Sequence, residues 1–127
     1  MRKIVLFLLI LVALAGCRQS AQPTPESPGL NITVDIEPEP AQVGEAALVI
    51  AIRDRRDAPA AGVAVEARGD MNHAGMVPVI GSGETDAEGA VRVPFEWTMG
   101  GDWIVTVTAA LADGTSVSQT FDFSVAS

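Results

Sequence analysis

From Asn31 to Glu37 apolar and polar residues alternate, with Ile32, Val34 and Ile36 on one parity and Asn31, Thr33, Asp35 and Glu37 on the other. That period of two predicts a strand with one buried face, stopped by Pro38 and Pro40. Ala46 to Ile52 is apolar on both parities, with Leu48, Ile50 and Ile52 the heavier face, so it predicts a central strand that ends in the charged turn Arg53-Asp54-Arg55-Arg56-Asp57. Val63, Val65 and Ala67 alternate again and predict a third strand running towards Met71. A short fourth strand is expected from Met76 to Ile80, bounded by Gly81-Ser82-Gly83. Val91, Val93, Phe95 and Trp97 share one parity after the turn Thr85-Asp86-Ala87-Glu88-Gly89, and Pro94 among them predicts an edge strand or a bulge. Trp103, Val105 and Val107 form a further strand, joined to Val117 through Val125 at Asp113-Gly114, a pair suited to a two-residue hairpin turn. About seven short strands and no helical periodicity predict an all-β domain, an antiparallel immunoglobulin-like β-sandwich.

Residues 1–30 follow a different pattern. Met1-Arg2-Lys3 precedes an apolar run from Ile4 to Leu14 that is too short for a mature membrane span, which marks residues 1–16 as a secretory signal peptide. It closes on Leu14-Ala15-Gly16-Cys17, which resembles the bacterial lipobox, where small residues precede a cysteine that is acylated before cleavage. The expectation is an extracytoplasmic chain anchored to a bacterial membrane by lipid on Cys17. Residues 17–30, with Pro23, Pro25 and Pro28 and no apolar period, predict an extended tether reaching up to roughly 40 Å, and residues 31–127 form the domain.

Charge and cysteine count then narrow the chemistry. Without Arg2 and Lys3, six arginines face sixteen acidic residues, a net charge of −10 against −8 for the whole chain. Such a surface repels nucleic acid, so no nucleic-acid partner is expected. Cys17 is the only cysteine, and once it is a thioether no disulfide, catalytic thiol or thiolate metal site remains. The single histidine, His73, has no thiol to activate, and no serine triad or phosphate-cradling glycine loop is present, so an enzyme is not expected.

One cluster asks for a cause. His73 lies in Met71-Asn72-His73-Ala74-Gly75-Met76, within three positions of two of the four methionines in the chain. Thioether sulfur is a poor ligand for zinc, calcium or magnesium but suits Cu(I), and imidazole is a nitrogen donor copper accepts. Met71, His73 and Met76 are therefore candidate copper ligands, and Met99, followed by Gly100-Gly101, is a fourth. The competing structural reading makes the methionines core filler and the histidine a solvated loop residue. Trp97 and Trp103 read as core.

The stretches Ala60 to Val65, Met71 to Met76 and Phe95 to Val107 resemble the YtkA-like family of small exported domains, related in style to FixH-like proteins. The resemblance implies an immunoglobulin-like sandwich with a Met/His-bearing loop, Cu(I) carriage or delivery, for example to respiratory-oxidase assembly, and a copper-receiving protein partner. One histidine and no second His-x-Met element argue against Cu(II). Turns such as Thr85 to Val91 are also similar to those of immunoglobulin-like and macroglobulin-like modules, so a non-metal structural or protein-binding lipoprotein module is the competing function.

Overall fold

The alternation closes into two facing sheets in the computed structural model, which describes residues 29–127; the signal peptide, Cys17 and the tether up to residue 28 lie outside the described residues. The strands are β1 (Asn31–Glu37), β2 (Gly44–Arg53), β3 (Ala64–Met71), β4 (Val79–Glu84), β5 (Ala90–Trp97), β6 (Gly101–Ala110) and β7 (Ser116–Val125). All pair antiparallel, in the orders β1-β2-β5 and β4-β3-β6-β7, and no helix occurs among the described residues. The expected immunoglobulin-like sandwich of seven strands is the observed fold.

Between the sheets lie the predicted parities: Ile32, Leu48, Ile50, Ile52, Val93, Phe95 and Trp97 from one sheet, Val65, Ala67, Trp103, Val105 and Val107 from the other. A buried branched or aromatic side chain contributes about 1.5 to 3 kcal/mol, and this shared layer is what joins the sheets. β2 is central as expected, and β5 is an edge strand, where Pro94 removes no ladder bond that a further strand would need.

Two details differ from the sequence expectation. The fourth strand runs Val79–Glu84, several residues later than Met76 to Ile80, and includes the glycines expected to bound it. Its inward positions face β5 at close range: a Cβ on Gly81 would lie 2.6 Å from Val93 Cγ1, and one on Gly83 would lie 2.6 Å from Val91 Cγ2. Missing side chains let the edges of the two sheets meet, which a single-strand pattern does not reveal. The β6–β7 turn is also longer than two residues. Leu111 N–H donates to Thr115 O (2.8 Å), Gly114 N–H donates to Leu111 O (3.0 Å), and Gly114 has φ of 88°, the geometry of a three-residue loop with glycine in the left-handed position. Asp113 Oδ1 accepts bonds from the Thr115 hydroxyl (2.6 Å) and backbone N–H (2.9 Å), and these hold its carboxyl below the usual carboxylate range.

The register sorts the connections to two poles. Asn31 pairs with Arg53 and Ala64 with Ala110, so Gly29 and Leu30, the 54–63 crossover, the Asp86 turn and the Leu111 turn share one pole. Thr85 fastens that pole: its buried hydroxyl accepts from Val63 N–H (2.9 Å) and donates to Ala60 O (2.7 Å). Gly44 pairs with Trp97, Met71 with Trp103 and Gly101 with Val125, which sends residues 38–43, 72–78 and 98–100 to the other pole. Strands of about ten residues put the poles roughly 30 Å apart.

Candidate metal centre

The distal pole has an aromatic floor. Trp97 and Trp103 meet edge to face at 5.3 Å between centroids, Phe95 lies 4.9 Å from Trp97, and Phe123 tilts against Trp97 at 5.9 Å. Gly69 makes the room, since a Cβ there would lie 2.5 Å from Phe95 Cζ. Such pairs contribute about 0.5 to 1.5 kcal/mol each beyond their burial, so the floor is a stiff base for the loops above it.

At the same pole the β3–β4 and β5–β6 loops form an open depression of about 430 Å³. Its lining includes His73 and Met76 from the first loop and Thr98 and Met99 from the second. The fold therefore brings together three of the four candidate ligands, two of them separated from Met99 by more than a strand of sequence. Met99 is 44% exposed, Met76 is half-buried, and His73 is exposed.

Met71 goes elsewhere. As the last inward residue of β3 it is 8% exposed and belongs to the hydrophobic core. It packs beneath Gly101, where a Cβ would stand 2.8 Å from Met71 Cε, and the φ of 128° at Gly101 also favours glycine. Parity decides this: Met71 shares the inward face with Val65 and Ala67, whereas His73 comes after the strand has ended.

The chemistry of the depression is that of a soft, nearly uncharged donor set. Neither loop contains an acidic or basic side chain other than His73. On β3, Arg68 Nε and Asp70 Oδ2 pair at 2.9 Å, and the hydrogen bond to Asp70 raises the guanidinium pKa above its ordinary value, so the carboxylate nearest Met71 in sequence is already engaged. Among the described residues no group of three or more His, Cys, Asp or Glu could hold an ion. One imidazole nitrogen and two thioether sulfurs fit Cu(I) and do not fit a hard cation.

A contact that sequence reasoning missed lies beside Met99. Trp103, expected only in the core, donates from its indole Nε1 to the carbonyl oxygen of Met99 at 2.9 Å. The spacing of four residues between them was the available signal. Trp97 Nε1, buried as deeply, has no hydrogen-bond partner among the described residues.

Comparison with known proteins bears first on the anchor. Residues 1–17 match the prokaryotic membrane lipoprotein lipid attachment site, which makes this a lipid-anchored, extracytoplasmic membrane protein. No curated protein matches the chain. Among solved structures, the soluble domain of PmoD from Methylocystis sp. strain Rockwell is similar at 16% identity and a TM-score of 0.45, over 76% of this chain and 90% of that one. A likeness that distant carries no functional argument.

Proposed function

We propose that this lipid-anchored protein carries Cu(I) outside the cytoplasm and hands it to an acceptor protein, with His73, Met76 and Met99 as the ligands. The observation that carries the reading is the convergence of the only imidazole and two thioethers on one open depression, from loops that sequence alone does not bring together. Cu(I) is the cargo, and the three side chains supply a neutral, soft donor set without displacing any buried charge. The depression is open and its methionines are partly exposed, so an acceptor's own ligands reach the ion without unfolding the carrier. Gly29 and Leu30, the first described residues, lie at the opposite pole.

The test is a competition titration of the mature lipoprotein in detergent under reducing conditions. One equivalent of Cu(I) is expected to bind and Zn(II) much more weakly, because thioethers prefer the softer ion, and His73→Ala is expected to weaken the Cu(I) affinity. An absence of Cu(I) binding, or binding undiminished when His73, Met76 and Met99 are all replaced, would leave a non-metal structural or protein-binding module as the function.

A further inference from the structure

The two core tryptophans are alike in burial and differ in one bond. Trp97 is fully buried and its Nε1 has no partner among the described residues, while Trp103 donates its N–H to the Met99 carbonyl. Among the described residues, this is the one side-chain hydrogen bond that reaches either loop around the depression. Its geometry matters because Met99 stands in Thr98-Met99-Gly100, the short loop between β5 and β6, where the glycine that follows widens the conformations open to the backbone. Trp103 itself cannot shift: it is 1% exposed, pairs with Met71 and Phe123 in the sheet, and stacks edge-on against Trp97.

We infer that Trp103 is a positioning residue for the ion, its indole N–H pinning the Met99 backbone so that one thioether is preset at the depression while His73 and Met76 arrive on a loop with no such tie. The inference rests on the Cu(I) reading. The rigid aromatic floor transmits its order to a ligand through a single bond, and a ligand held in its bound position binds more tightly because less freedom is lost when the ion arrives. Trp97 supplies the internal control, since shortening its indole removes the same kind of core volume and no hydrogen bond.

The experiment uses the mature lipoprotein in detergent and reads Cu(I) affinity by competition. Trp103→Phe is expected to weaken binding by about tenfold, and Trp97→Phe by less than about twofold, because only the first frees the Met99 backbone. In a Met99→Leu background, Trp103→Phe should add no further loss. Equal losses in the two Phe variants, or a Trp103→Phe loss that persists without Met99, overturn the inference. A second measurement needs no change to the core: indole N–H resonances of the parent followed during Cu(I) loading. The Trp103 resonance is expected to shift, and to stop shifting in Met99→Leu, with that of Trp97 nearly still. A protein that binds one Cu(I) without moving the Trp103 resonance overturns the inference and leaves the proposed function standing. A parent that binds no Cu(I) removes both.

Discussion

Exchanging the four candidate ligands one at a time separates packing from metal binding, and Met71 is the decisive position. Its side chain is 8% exposed and fills the space beneath Gly101, so Met71→Ala should cost about 2 to 5 kcal/mol through lost burial and a residual cavity. For a domain of roughly 95 residues, each kcal/mol shifts the melting temperature by about 4 to 8 °C, which predicts a fall of roughly 8 to 40 °C. Met71→Leu nearly conserves volume and should cost under about 1.5 kcal/mol. Met99→Leu, at a 44% exposed position, should move stability by less than about 0.5 kcal/mol. Cu(I) affinity should show the reverse order. Met99→Leu and Met76→Leu are expected to lose at least about tenfold, equivalent to about 1.4 kcal/mol, and Met71→Leu less than about twofold. Thermal unfolding followed by circular dichroism, paired with Cu(I) competition on the same preparations, reads both axes. A Met71→Leu protein that loses as much affinity as Met99→Leu would make Met71 a ligand and refute the division between core and site.

Thr85→Val removes a hydroxyl bonded to both Val63 N–H and Ala60 O and leaves those groups without partners, so urea unfolding should report a loss of about 2 to 3 kcal/mol, against about 1 kcal/mol for Thr85→Ser. Asp113 is held below the usual carboxylate range by Thr115, so its folded pKa lies under its unfolded one and the associated stability is present above the unfolded value and lost as pH falls through the folded one. Thr115→Val should raise the Asp113 pKa towards the ordinary range, as a carboxyl-carbon NMR titration would detect; an unchanged midpoint would show that the Thr115 hydroxyl bond does not set it. Cys17→Ser should abolish acylation and release the protein from the detergent phase on partitioning, and a variant still acylated and processed would refute the lipid attachment at that residue.

Strand parity made most of the fold legible along the chain, because a residue's face in a sheet depends on its immediate neighbours and on a period of two. Leu48, Ile50, Ile52, Val65, Val93 and Val105 all lie where alternation put them. The lipobox was equally local, four consecutive residues read by enzymes rather than by a folded surface. What failed locally depended on a second chain segment. Gly81 and Gly83 look like loop residues until β5 is found at a distance that no Cβ would tolerate, and Asp113-Gly114 fits two turn lengths that only the paired Leu111 and Thr115 distinguish.

For the candidate site, the sequence supplied the residue types, since thioether and imidazole chemistry travels with the residue. It could not say that Met71 turns inward to the core while Met99, far along the chain, joins His73 and Met76 at one depression. Nor could it tell Trp103, whose indole N–H is bonded to the Met99 carbonyl, from Trp97, whose indole N–H has no partner among the described residues. Residue identity and short-range period are properties of a segment, so the chain itself determined the anchor, most of the strands and the side-chain types at the candidate site. Convergence, closure and the partner of a buried N–H depend on how β3, β5 and β6 cross the sandwich, and that was decided only when the two sheets packed.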